Sequence, residues 1–159
     1  MADTETFWSP GVHTQIEFPE RVAFQRRPGW GLEVEQELDP PGRLNNWFHI
    51  PLPARSRNAY RSGTIVEAFM LRMRVNENAR IAELHLRDGP EVITALGTRF
   101  LDTEVNQEFR GPAAAPFWIA FGSNASGLNL CIRVEFLSGS PRGRAVFLGA
   151  GVRLSFLDR

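Results

Sequence analysis

Along most of this chain hydrophobic and polar residues take turns, the period of a strand with one buried face and one wet face. The last third is the most regular. Phe117, Ile119 and Phe121 alternate with Trp118 and Ala120. Leu128, Leu130, Ile132, Val134 and Phe136 alternate with Asn129, Cys131, Arg133 and Glu135. Val146, Leu148, Ala150, Val152, Leu154 and Phe156 alternate with Phe147, Gly149, Gly151, Arg153 and Ser155, and this final run is expected at the centre of a sheet. Glycines at 149 and 151 permit a bend or the close approach of another backbone.

The first half follows the same rule with more punctuation. Val12, Thr14, Ile16 and Phe18 share a face; Val22 and Phe24 form a short run after Pro19. Trp30, Leu32, Val34, Gln36 and Leu38 are expected inside, with Glu33, Glu35 and Glu37 as a carboxylate ladder outside. From Leu44 to Ile50, apolar bulk sits on both faces, Trp47 and His49 on one, Phe48 and Ile50 on the other. Pro51 and Pro53 then remove backbone donors and stop the ladder. Ile65, Phe69, Leu71, Met73 and Val75 line one face of the next run, Glu67 being the exception, while Arg72 and Arg74 project from the other. Ala82, Leu84 and Leu86 follow as inward positions, Glu83 and His85 as outward ones. Pro112 to Pro116 is too short and too proline-bounded for a stable helix.

Short strands with Gly/Pro turns and no internal repeat imply an all-β chain: an antiparallel β-sandwich, jelly-roll-like, of about 8–10 strands. Residues 1–11 read as an N-terminal arm whose order depends on docking, with Phe7 and Trp8 packed on the body or on a neighbouring subunit. Residues 12–159 make a single β-sandwich domain.

At 159 residues the chain has the size of one domain with a sizeable core. Its 18 basic and 18 acidic residues balance to a formal charge of zero, which argues against a nucleic-acid partner and leaves association unopposed by charge. All the basic residues are arginines, whose forks pair with carboxylates and desolvate more cheaply than ammonium groups. The N-terminus lacks the basic start and apolar core of a signal peptide, and no apolar run reaches the roughly 20 residues of a membrane helix. A cytoplasmic protein with no membrane partner is expected, and the Asn124-Ala125-Ser126 sequon is then chance.

From Trp47 onward the chain carries Trp47-Phe48-His49-Ile50-Pro51-Leu52-Pro53, Ala79-Arg80-Ile81, Leu84-His85-Leu86-Arg87-Asp88-Gly89-Pro90, Phe117-Trp118-Ile119 and Gly151-Val152-Arg153-Leu154-Ser155-Phe156. In these pieces it resembles a family of uncharacterised bacterial all-β domains. The resemblance implies the β-sandwich fold and no activity, cofactor or site.

Candidate chemistry is sparse. His13, His49 and His85 are too far apart in sequence for a local metal motif, so a small metal-dependent enzyme would need all three to meet in space. No His-x-His pair of the cupin type occurs. Glu33, Glu35 and Glu37 are spaced like paired carboxylates of a glycosidase but read better as a solvated or arginine-paired face. Cys131, the single cysteine, has no sequence neighbour to activate it and reads as a buried or half-buried strand residue. No nucleophile-elbow, phosphate-loop or dinucleotide motif occurs.

These observations favour a non-catalytic module that self-assembles or binds another protein, without cofactor or metal. Its opposed patches are Glu33, Glu35 and Glu37 against the basic loop of Arg55, Arg57 and Arg61 around Tyr60, together with Arg72 and Arg74. The alternative is a carbohydrate-binding domain that stacks a glycan on Trp118 or Trp47.

Overall fold

The alternating runs pair into two antiparallel sheets that bury their apolar faces on one another. The computed structural model describes residues 3–36, 43–53, 64–97, 104–110, 117–119 and 127–156. Within them the strands are β1 (Asp3–Pro10), β2 (Gln15–Ile16), β3 (Val22–Arg26), β4 (Leu32–Gln36), β5 (Arg43–Pro51) and β6 (Thr64–Val75). They continue with β7 (Ala79–Asp88), β8 (Glu91–Gly97), β9 (Glu104–Arg110), β10 (Phe117–Ile119), β11 (Leu128–Leu137) and β12 (Arg144–Phe156). One sheet runs β3-β4-β12-β6, with β1 also pairing β12, and with β9 and β10 pairing β6. The other runs β2-β5-β11-β7-β8. The orders β4-β12-β6-β9 and β5-β11-β7-β8 are those of a jelly roll, two Greek keys wrapped into a sandwich. Among the described residues no helix is long and apolar enough to cross a membrane.

Aromatic rings join the two layers. Phe48 of β5 lies 4.6 Å, centroid to centroid, from Phe147 of β12 in the opposite sheet, and 6.3 Å from Phe136 of β11. A polar pair, Asn46 and Gln36, is built into this interior. Asn46, fully buried, accepts from the Phe18 amide (3.1 Å) and donates to the Phe18 carbonyl (3.0 Å) and to Gln36 Oε1 (3.1 Å). It satisfies backbone groups that would otherwise be buried unpaired.

β12 is central, as its long run implies, and so is β11; the pairing shifts register on five strands, and on β6, β7 and β12 the shift redistributes the expected core residues. β6 inserts Glu67 between residues paired to Arg153 and Leu154, so Val66 faces the core and Ile65 does not. β12 inserts Leu148 between the partners of Met73 and Arg72; the core side is therefore Ala145 and Phe147 before it, and Ala150, Val152 and Leu154 after it. Val146 and Leu148, expected inside, are only half-buried. β7 inserts Ala82, expected to be an inward residue, so that Ala79 and Ile81 join Leu84 and Leu86 in the core. Each is a β-bulge, which advances the pleat by one residue and exchanges the faces.

Other expectations are corrected at the N-terminal side. Val12 to Phe18 is not one strand: Gly11–His13 forms a 3-10 turn, closed by Thr14 Oγ1 donating to the Gly11 carbonyl (2.6 Å), and only Gln15–Ile16 pairs. Trp30 is 51% exposed rather than buried, because it sits in the Pro28–Gly31 turn ahead of β4 and the alternation does not extend to it. The N-terminal segment, by contrast, docks as its reading allowed: as β1 it lies along β12. Its path depends on glycine: a Cβ at Gly151 would lie 2.9 Å from the Phe7 carbonyl oxygen and from the Trp8 ring.

Candidate functional site

The outer face of the five-stranded sheet collects polar side chains from separate stretches of sequence. Cys131 of β11 is in register with His49 of β5 on one side and with His85 of β7 on the other. Gln15 extends this row beyond His49, and Ala95 extends it beyond His85. Two residues along the strands, one neighbouring row holds Trp47, Arg133 and Glu83, and the other holds Pro51, Asn129, Arg87 and Val92. A depression of about 570 Å³ opens over these rows, lined by Gln15, Glu17, Trp47, His49, His85, Arg87, Gly89, Asn129 and Cys131.

Internal partners orient the walls. His49 Nε2 donates to Glu17 Oε2 at 2.8 Å, and His85 Nε2 lies 3.2 Å from Glu83 Oε2. A carboxylate can only accept, so in the neutral His49 ring the proton sits on Nε2 and Nδ1 is left as an acceptor. Glu83 also takes Arg133 Nη2 at 2.8 Å. The Trp47 ring rests 4.9 Å from the His85 ring at a tilt of 51°, which leans the indole over the row below its own. Arg87 donates to the Pro90 carbonyl at 2.7 Å, which ties it to the turn between β7 and β8. That turn is itself held by Gly89 N–H donating to the Gly127 carbonyl and Gly127 N–H donating to Asp88 Oδ1.

Cys131 forms the floor. Although it points to the outer face, only 4% of it is exposed, because the flanking side chains roof it over. Burial pushes its thiol from 9.0 up to about 11, opposed by the nearby Arg87 cation. Between those values an unfolded chain holds fewer protons than the native one, so stability falls as pH rises through this window. At neutral pH the residue is a thiol, not a thiolate, and lacks the charge a nucleophile or metal ligand needs. Iodoacetamide at about pH 8 is therefore expected to leave the native protein unmodified in the time it fully alkylates the urea-unfolded chain, as read by intact mass. Complete labelling of the native protein would show an open, ionised sulfur.

The residues expected from the sequence are distributed differently. Trp47 is part of the depression. Trp118 pairs with Ile65 at the β10–β6 edge of the other sheet, and its side chain lies outside the described residues. Arg55, Arg57, Tyr60, Arg61 and Glu37 also lie outside them. Arg72, Arg74, Glu33 and Glu35 lie on the outer face of the seven-stranded sheet, where charges of both signs interleave across the strands. Arg72 donates to Asn106 Oδ1 (3.2 Å) and stacks over Trp8 (4.6 Å); Arg74 pairs with Glu104 at 3.4 Å. Glu33 is not solvated but 4% exposed, held by Arg26 at 2.8 Å and by Arg144. Glu35 stands in register with Phe24 on one side and Arg144 on the other.

The three histidines do not converge. His49 and His85 flank Cys131, whereas His13 lies in the 3-10 turn with Nδ1 3.5 Å from Ser9 Oγ. Among the described residues no group of three or more potential ligands is arranged to hold a metal ion. The depression itself was legible only as a hint. The outward positions of the Trp47, His85 and Cys131 runs carry indole, imidazole and thiol where a merely solvated face carries charges. No protein-family model matches the chain, and no curated protein matches it.

Proposed function

We propose that this chain is a non-catalytic binding module whose outer groove on the five-stranded sheet takes a small polar ligand of the carbohydrate class. The observation that carries this reading is the combination within one depression of a leaning indole and side chains already fixed by internal partners. The apolar face of a pyranose ring stacks on Trp47, and its hydroxyls meet the Nδ1 acceptor of His49, the His85 ring and the amides of Gln15 and Asn129. A volume of about 570 Å³ falls within the range of small-molecule sites. Preset side chains reduce the ordering cost of binding. Binding rather than turnover fits the reagents present, since Glu17 and Glu83 are each occupied by cations or imidazole and Cys131 is protonated.

Titration of the ¹⁵N-labelled protein with neutral mono- and disaccharides, followed by two-dimensional NMR, tests the reading. Shifts are expected at His49, His85 and Asn129, and Trp47→Ala is expected to weaken the affinity by about tenfold. Affinity untouched by that substitution would remove Trp47 from the site.

Self-association is a second reading, favoured by a different observation. Trp8 (43%), Phe24 (43%) and Trp30 (51%) are exposed on β1, on β3 and in the turn after it, all on the flank of the seven-stranded sheet away from β9. Exposed aromatics beside the short edge strand β3 suit a contact between two copies. Light scattering at micromolar concentration is expected to give a dimer or larger on this reading; a monomer removes it.

A further inference from the structure

The groove contains one cation whose charge is not answered. Glu17 is occupied by His49, and Glu83 by Arg133 and His85. Arg87 is different: among the described residues its guanidinium has no carboxylate within ion-pair distance, and its hydrogen bond goes to the uncharged Pro90 carbonyl. One of five N–H donors is thereby anchored, leaving the rest of a positioned fork. Arg87 lines the same depression as Trp47 and is in register with Asn129, whose amide lies beside it. Trp47 sits two strands and two rows away, and its lean towards His85 brings the indole to within roughly the length of one or two sugar rings of that fork.

We infer that the ligand is acidic: a saccharide bearing a carboxylate, of the uronate type, with the acid group on Arg87 and Asn129 and the ring against Trp47. This rests on the carbohydrate reading of the groove and adds the charge of the ligand to it. A bidentate guanidinium–carboxylate contact in a partly enclosed site is stronger than the hydroxyl contact that replaces it in a neutral sugar. The bound carboxylate also supplies the counter-charge that Arg87 lacks.

The test uses the whole chain and matched pairs of methyl glycosides: glucuronide against glucoside, galacturonide against galactoside. Binding is measured by calorimetry and by NMR shift mapping. At least one uronide is expected to bind about tenfold to a hundredfold more tightly than its neutral partner. Arg87→Gln, which keeps a polar side chain, is expected to bring that ratio to about one, the uronide losing far more affinity than its neutral partner. Raising the salt concentration should narrow the ratio in the parent protein. If both members of each pair bind alike, or if the preference survives in Arg87→Gln, the acidic-ligand inference is overturned and the groove reading stands. If neither class of glycoside shifts the groove residues, both are overturned.

Discussion

Val134→Asp is expected to abolish folding. Val134 has no exposed surface; it sits at the middle of β11 between Asn46 of β5 and Ile81 of β7, with its side chain in the inter-sheet core. The substitution removes roughly 1.5–3 kcal/mol of apolar burial. It then places a carboxyl within the apolar core cluster, at a further cost of several kcal/mol whether the group ionises or takes up a proton. Together these approach the whole stability of an ordinary domain, about 5–15 kcal/mol. The expected result is insoluble protein, or a chain with no cooperative transition by circular dichroism. A soluble variant that melts with the parent would mean that the inner and outer faces of β11 are reversed.

Gly11→Ala is expected to be strongly destabilising for a different reason. A Cβ on Gly11 would collide with the carbonyl oxygen and carbon of Phe147, which are backbone atoms of the central strand and cannot rotate aside. Gly31 approaches that carbonyl from its own side, so the 3-10 turn and the turn before β4 both close on the stretch of β12 next to its bulge. Overpacking of this kind costs about 1–3 kcal/mol and sometimes more, and the upper end is expected where only backbone could yield. For a domain of this length that is a fall in melting temperature of roughly 6–12 °C. Gly29→Ala is the control: nothing lies within 4 Å of a Cβ there, and its melting should match the parent within about a degree or two. Equal melting of the two variants would mean that Gly11 does not lie against β12.

How far the sequence could be read depended on where the bulges fell. β11 was legible throughout, because the irregularity opposite it is carried by Ala82 on β7 and its own alternation is never interrupted. β6, β7 and β12 were legible only in part, since a bulge leaves composition unchanged and simply moves the pleat. Glu67, the one charge on an otherwise apolar face, was the local sign of such a shift. Trp30 misled for the opposite reason, as a large apolar residue in phase with a strand it does not belong to. Glu33 was legible as either solvated or arginine-paired; Arg26 on the neighbouring strand and Arg144 from far along the chain make it a buried ion-pair centre.

The site was beyond reach of the linear pattern. His49, His85 and Cys131 belong to three separate runs, and nothing local says that β11 lies between β5 and β7 or which residues face one another. A shift of one residue in either pairing would turn one of those side chains into the core. The sequence alone determined that this chain forms antiparallel sheets with an apolar interior, because a period of two and turn-forming residues act on near neighbours. Only the tertiary structure decided which outward side chains share a groove and which arginines are matched by carboxylates, because those follow from strand order and register, which join residues distant along the chain.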